Sequence, residues 1–153
     1  MVFQLQQASF GLPLECVSEV LRMLEITALP EAPVWLAGVF NFRGQIIPLI
    51  DLRLRLGLAA LPYELNTPIM VVLSAGRLVG LIADCIEDVF DFPPASLAPP
   101  DALASLAHPV QALASLADRL VILLDLALLT TGLEDLDVKN FFPEVPFDSD
   151  PRD

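Results

Sequence analysis

Residues 38–56 read GVFNFRGQIIPLIDLRLRL. Two apolar runs, VFNF and QIIPLI, flank the dipeptide Arg43-Gly44, and the second run closes on Asp51. Short apolar runs broken by turn residues predict strands rather than helix. Gly44 supplies the backbone angle that a tight turn needs and most residues avoid. Pro48 predicts an edge strand or a bulge, because it cannot donate to a ladder. Asp51 stands where a carboxylate would cap the Leu-rich helical turn that follows.

The same grammar continues outward. Residues 2–6, VFQLQ, alternate as a half-buried strand, and FGLPLE (10–15) continues toward a second. In VSEVLRML (17–24), Val17, Val20, Leu21 and Leu24 share a helical face, which predicts one or two helical turns. EAPVWLAG (31–38) predicts a short helix beginning at Pro33 and stopping at Gly38. Residues 69–86 form a hairpin by pattern, turning through Ser74-Ala75-Gly76. FDFPPASLAPP (90–100) reads as a Pro-rich loop. Residues 110–126 predict a second hairpin turning at Asp118-Arg119, with helix as the alternative for ALASLA (112–117). From residue 134 onward seven acidic and two basic residues and three prolines predict a frayed tail, leaving 1–133 as the folded part.

One internal echo organises these elements. Residues 45–58, QIIPLIDLRLRLGL, resemble residues 119–133, RLVILLDLALLTTGL: an apolar strand, then Asp-Leu, then a short Leu-rich segment. Asp51 and Asp125 occupy the same place. The echo fits a mainly β protein of two similar half-domains, each a small barrel that ends a strand with a capping aspartate.

Eight basic residues against twenty acidic ones leave a formal charge of −12. That argues against nucleic acid and disfavours anionic membrane surfaces as partners, since both need clustered Lys and Arg. Mean hydropathy is +0.65. Even so, the longest uncharged run, 102–117, contains His108 and Pro109 and is shorter than the roughly 20 apolar residues of a membrane span. The chain opens MVFQLQQ with no basic residue ahead of an apolar stretch, so no signal peptide is expected and the cytoplasm is the expected compartment. Cys16 and Cys85, far apart and in no metal-like spacing, are expected to be free, buried thiols.

Asp51, Asp84 and Asp125 each follow an apolar strand, the placement a small hydrolase would use for acid/base work. Helix and turn capping explains the same placement without chemistry. His108, the single histidine, precedes Pro109 and reads as a loop or surface residue. No phosphate-binding, nucleophile-elbow or zinc motif occurs, and no cofactor is expected. Arg43 is harder to explain as mere solvation. In so acidic a chain a cation fixed between two strands stands out, and its five-donor fork suits a carboxylate or backbone carbonyls.

LPEAPVWLAGVFNFRGQIIPLIDLRLRLGL (29–58) resembles the central signature of the CheW family, the coupling proteins of bacterial chemotaxis. Gly38, Val39, Asn41, Arg43, Gly44, Pro48, Asp51, Leu52 and Arg53 carry the match. Upstream, Val17, Glu19 and Val20 resemble the family's Val-x-Glu-Val turn; downstream, GRLVGLIADCIEDV (76–89) and DRLVILLDLALL (118–129) resemble its second hairpin and closing strand. Phe42 stands where leucine is more usual. The resemblance implies two SH3-like barrels of about five strands each and no enzymatic activity. It implies two partners: the cytoplasmic tip of a chemoreceptor and the regulatory domain of a CheA-type histidine kinase. It places Val17, Glu19, Gly38, Asn41, Arg43 and Val89 at the receptor surface and leaves Gly44, Asp51 and Asp125 as turn and cap residues. Adaptors of type IV pilus or phototaxis pathways share the signature and form the alternative reading.

Overall fold

A computed structural model describes residues 1–99, 109–116 and 119–133. Strands β1 (Val2–Leu5), β2 (Ala8–Gly11), β3 (Val17–Arg22), β4 (Leu36–Phe42) and β5 (Gln45–Asp51) lead to a helical turn, α1 (Leu52–Arg55). Then follow β6 (Pro68–Ser74), β7 (Arg77–Ile82), β8 (Cys85–Asp88), β9 (Leu97–Ala98), β10 (Val110–Leu116) and β11 (Arg119–Leu124). A second helical turn, α2 (Leu126–Leu129), closes the series. The strands form two sheets, one ordered β3-β6-β7-β5-β4 and one ordered β8-β1-β2-β11-β10-β9.

The two sheets repeat one plan. Each has a two-residue hairpin with positive φ at both turn positions, Ala75-Gly76 between β6 and β7 and Gln6-Gln7 between β1 and β2. That is the turn whose twist matches the strands it joins. Each has a parallel pair, Leu49 opposite Gly80 in one and Leu123 opposite Gly11 in the other. A Cβ at Gly80 would lie 2.8 Å from Leu49 Cδ1, and one at Gly11 would lie 2.9 Å from Leu123 Cδ2. Each has a bulge at the same step, between Leu36 and Gly38 on β4 and between Val110 and Ala112 on β10. The 45–58 and 119–133 echo is therefore in register, Gln45 on Arg119 and Asp51 on Asp125. The difference is connectivity. The first barrel is continuous from β3 to β7, whereas the second takes β1 and β2 from the N-terminus and the rest from residue 85 onward.

Thr27, in the chain leaving β3, exchanges two 2.9 Å backbone hydrogen bonds with Val39 of β4, drawing together opposite edges of the first sheet. In the second sheet β9 pairs Ala98 with Leu113, the equivalent step, which makes a sixth strand where the resemblance implied five. One apolar core, built on Phe3, Leu5, Ile50, Leu52, Met70, Leu81, Leu124 and Leu129, lies between the sheets. A second fills the first barrel around Phe40, Phe42, Leu49 and Val71, and a small one in the second joins Val2, Ala114 and Val121.

The two aspartates cap as expected. Asp51 Oδ1 accepts from Arg53 N at 3.0 Å and Leu54 N at 3.5 Å, and Oδ2 accepts from Tyr63 Oη at 2.6 Å. Burial, and then this bond to Asp51, pushes the Tyr63 hydroxyl pKa upward. Asp125 Oδ1 accepts from Leu128 N at 3.2 Å. Urea unfolding is expected to show a cost of about 1 kcal/mol for Asp125→Ala and about 2 kcal/mol for Asp51→Ala, which also strands the tyrosine hydroxyl.

Several local expectations give way to pairing. Residues 17–24 are not helical: Val17 and Val20 are β-branched, and β6 offers β3 a partner along its whole length. Residues 31–38 form no helix: 31–35 make only a turn, Leu36 N to Pro33 O at 3.0 Å, and 36–38 already belong to β4, with Trp35 O taken by Asp51 N at 2.8 Å. Pro48 sits in an interior strand. It is tolerated because Val39 opposite spends its backbone groups on Thr27, and the ladder to β7 begins only at Leu49. The strand begun in 10–15 stops at Gly11 and gives way to a 3₁₀ turn, Leu14–Cys16. Residues 112–116 are strand, and the 90–100 loop contains a 3₁₀ turn, Pro94–Ser96, and β9. Both thiols are free, but Cys16 is half-buried and Cys85 exposed, since Cys85 opens the edge strand β8. His108, Asp118 and the segment 134–153 lie outside the described residues. No helix among the described residues is long and apolar enough to cross a membrane.

Candidate functional site

The β4–β5 hairpin turns on Arg43 (φ 54°) and Gly44 (φ 86°), with Phe42 paired to Gln45. Asn41 Oδ1 closes the turn by accepting from Gly44 N at 2.8 Å. A turn of this kind wants φ > 0 at both central residues, so a residue with a Cβ at the first costs about 1 kcal/mol relative to glycine. Ala75 and Gln6 occupy the same position in their own turns, so strain alone does not single out Arg43. Its surroundings do. The side chain is 69% exposed, yet it is held at two points. Nη2 pairs with Glu19 Oε1, and the guanidinium carbon lies 4.9 Å from the Phe42 ring centroid. The remaining guanidinium N–H groups have no acceptor among the described residues. An exposed pair of this kind adds little to stability, about 0–1 kcal/mol. What it does is keep a rotamer-rich cation in one orientation.

Glu19 reaches Arg43 because β3 is bulged. Val17 pairs with Val72, and Glu19 pairs with Val71, leaving Ser18 unpaired between them. Val71 points into the first barrel and Val72 into the core between the sheets. Val17 and Glu19, two apart in sequence, therefore point to opposite faces of β3, where a regular strand would aim them together. Glu19 joins Arg43 at the barrel mouth; Val17 packs on the inter-sheet core.

Gly38 is buried. Its φ is +151°, and a Cβ there would lie 2.3 Å from Thr27 O and 2.8 Å from Ile26 Cγ2. Gly38 makes room for the Thr27 bridge and presents no side chain to a partner. Val89 is exposed but stands apart from the hairpin. It lines a shallow cleft of about 260 Å³ with Leu12, Leu14, Phe90, Phe92 and Leu123. Of the six residues the resemblance placed at the receptor surface, the fold gathers Glu19, Asn41 and Arg43. It packs Val17 against the inter-sheet core, leaves Val89 exposed at the cleft, and buries Gly38.

A second charged cluster had no signal in the sequence. Glu87, the bulge residue of β8, accepts at Oε2 from Gln4 Nε2 (2.7 Å), Ser9 Oγ (3.3 Å) and Arg119 Nη1 (3.0 Å), while Oε1 pairs with Arg119 Nη2. These residues lie on β8, β1, β2 and β11, so their spacing in the chain hides their meeting. Arg119 lowers the Glu87 pKa; burial opposes, and Gln4 and Ser9 assist the lowering. A carboxylate held low when folded contributes stability that is fully present above its unfolded value of roughly 4.3 and lost as pH falls through the folded one. Wild type is therefore expected to exceed Arg119→Gln in urea midpoint at neutral pH, with the gap closing in acid. A gap unchanged in acid would assign Arg119 a packing role instead.

The other strand-end carboxylates are engaged structurally. Asp84 Oδ1 pairs with Arg53 Nε, and Oδ2 accepts from Gln6 N at 2.8 Å. Asp51 and Asp125 cap separate helical turns. Among the described residues no group of three or more His, Cys, Asp or Glu is placed to hold a metal ion.

Residues 1–134 match the CheW-like domain family. The chain is 30% identical over 136 residues to the chemotaxis protein CheW of Klebsiella aerogenes, covering 88% of this chain and 82% of that protein. It is 33% identical over 91 residues to the protein PilI of Pseudomonas aeruginosa, covering 60% and 51%. Its fold matches the crystal structure of the scaffolding protein TtCheW from Thermoanaerobacter tengcongensis with a TM-score of 0.79 at 32% identity, over 85% of this chain and 90% of that one. With the motif, the paired SH3-like barrels and these similarities in agreement, the chain belongs to the CheW-like domain family.

Proposed function

We propose that this chain is a non-catalytic coupling adaptor of chemotaxis signalling, acting in the cytoplasm to join the tip of a chemoreceptor to the regulatory domain of a CheA-type histidine kinase. The observation that carries the reading is Arg43: a cation on a tight turn, oriented by Glu19 and Phe42, with donors left over for a partner's carboxylate or carbonyl groups. Glu19 and Asn41 belong to the same receptor-facing surface. The mechanism is geometric. Two barrels packed on one core hold two partners in a set relation, and a change in the receptor reaches the kinase only if the contacts differ in energy between receptor states.

The test is reconstitution from purified parts. A receptor cytoplasmic hairpin fragment and the kinase regulatory domain are each expected to bind the chain, and all three to form one complex. Binding to neither would overturn the reading. The similarity to PilI supports a second one, an adaptor of the same mechanism in a type IV pilus pathway. A pilus-system receptor and kinase captured in preference to flagellar ones would decide for it.

A further inference from the structure

The apolar core between the two sheets holds the barrels together but does little to set their angle, because burial is non-directional. Several directional contacts across that junction come from α1. Arg53 is 97% buried, with 3% of its side chain exposed. It pairs through Nε with Asp84 and donates from Nη1 to Leu61 O at 2.9 Å. Asp84 in turn accepts from Gln6 N at 2.8 Å and donates its own N–H to Gln4 O at 3.1 Å, and so grips the β1–β2 hairpin of the second barrel.

Arg55 reaches the other way. Nε donates to Leu129 O at 3.0 Å and Nη2 to Leu128 O at 2.9 Å, taking the carbonyls at the end of α2, while its guanidinium lies 5.1 Å from the Trp35 ring centroid. Residues two apart on a helical turn point roughly 200° from one another, so α1 reaches the second barrel along two routes, directly through Arg55 and by way of Asp84 from Arg53.

The internal repeat shows that this is one-sided. Ala127 and Leu129 occupy in α2 the places of Arg53 and Arg55 in α1. The first barrel supplies both guanidinium groups; Arg55 takes carbonyls of the second barrel directly, and Arg53 holds Asp84, in the link between β7 and β8, which in turn bonds the β1–β2 hairpin. Capping needs only the aspartate, which both turns have. The arginines are an addition at the junction.

We infer that Arg53 and Arg55 are positioning residues that fix the angle between the two barrels, and with it the relation in which two bound partners are held. The first half of this stands on the fold alone; the second rests on the proposed adaptor function. Ser74 Oγ with Thr130 Oγ1 at 3.0 Å, and Arg77 Nη1 to Leu133 O at 2.7 Å, lie across the same junction and act in the same sense.

The test substitutes Arg55→Met, which keeps an apolar stem over Trp35 and removes every donor. Nitroxide labels go on Cys85, exposed on the second barrel, and on Gln45→Cys, exposed on the first, in a Cys16→Ala background. Pulsed electron double resonance is expected to give one narrow distance distribution with Arg55. With Arg55→Met it is expected to widen about twofold or shift, since a packed interface without directional bonds admits neighbouring arrangements. A distribution unchanged in folded Arg55→Met protein overturns the inference. If Arg55→Met does not fold, Arg55→Leu, which also lacks every donor, is read the same way, and loss of fold in both assigns Arg55 to folding and rejects the positioning role. In the reconstituted complex Arg55→Met is expected to bind each partner singly as wild type does, while kinase stimulation falls at least about fivefold. Unchanged stimulation overturns the second half. A wild-type chain that binds neither partner defeats the proposed function, and the distance measurement still decides the positioning role.

Discussion

Arg43→Ala is expected to leave the melting temperature within about 2 °C of wild type, since the side chain is 69% exposed and its ion pair is worth about 0–1 kcal/mol. Receptor binding is expected to fall by at least about tenfold, because an oriented arginine at the centre of an interface costs about 2 kcal/mol or more when truncated. The partner on its own barrel gives a second point on the same line. Glu19→Gln keeps shape and hydrogen bonding but loses the charge that orients the guanidinium, so it should weaken binding less than Arg43→Ala. Isothermal titration against the receptor hairpin fragment, with a thermal melt of each variant, checks both quantities. An Arg43→Ala protein that unfolds, or one that binds unchanged, would place Arg43 among the structural residues.

Gly38→Ala is expected to do the reverse. The added methyl would sit 2.3 Å from Thr27 O, a backbone atom held by two hydrogen bonds to Val39, and φ at +151° suits no other residue well. Relief requires breaking the Thr27 bridge or shifting β4, at a cost on the order of 3 kcal/mol and a fall in melting temperature of roughly 6–12 °C. Any loss of receptor binding should then track the fraction unfolded and vanish at temperatures where the variant is folded. A stable Gly38→Ala protein with weakened binding would return Gly38 to the contact surface. Gly44→Val belongs with Gly38→Ala in kind, although nothing lies within 4 Å of a Cβ at Gly44. There the strain is the positive φ of 86° alone, so the expected cost is smaller, about 1–2 kcal/mol.

The expected results separate two ways in which a motif residue matters. Asn41, Arg43 and Gly44 form one turn, yet Asn41 Oδ1 and Gly44 hold the backbone while Arg43 faces outward. Asp51 and Arg53 are likewise neighbours in one motif. Asp51 serves its own helical turn, whereas Arg53 serves the junction with the other barrel. A shared signature therefore carries capping and turn formation together with the proposed barrel orientation and recognition, and only side-chain exposure and partners sort these roles.

Much was legible in the sequence because it is local. The turn at Arg43-Gly44 follows from one glycine between two apolar runs, and the caps at Asp51 and Asp125 follow from an aspartate ahead of a Leu-rich segment. The mainly β class and the internal repeat follow from the same short-range patterns, and the Asn-x-Arg-Gly and Asp-Leu-Arg motifs carried the family. What the tertiary structure alone decided involves residues far apart in the chain. The bulge at Ser18 turns Glu19 toward Arg43 and Val17 away from it, and a bulge is a relation between two strands that neither strand encodes by itself. Gly38 is buried because Ile26 and Thr27 pass over it, and Glu87 meets Arg119 because β8 and β11 lie in one sheet. The second barrel borrows its first two strands from the N-terminus, so its repeat is permuted and escapes any reading in chain order. Hydrophobic periodicity specifies which face of a segment is buried, and it contains no term for which distant segment buries it.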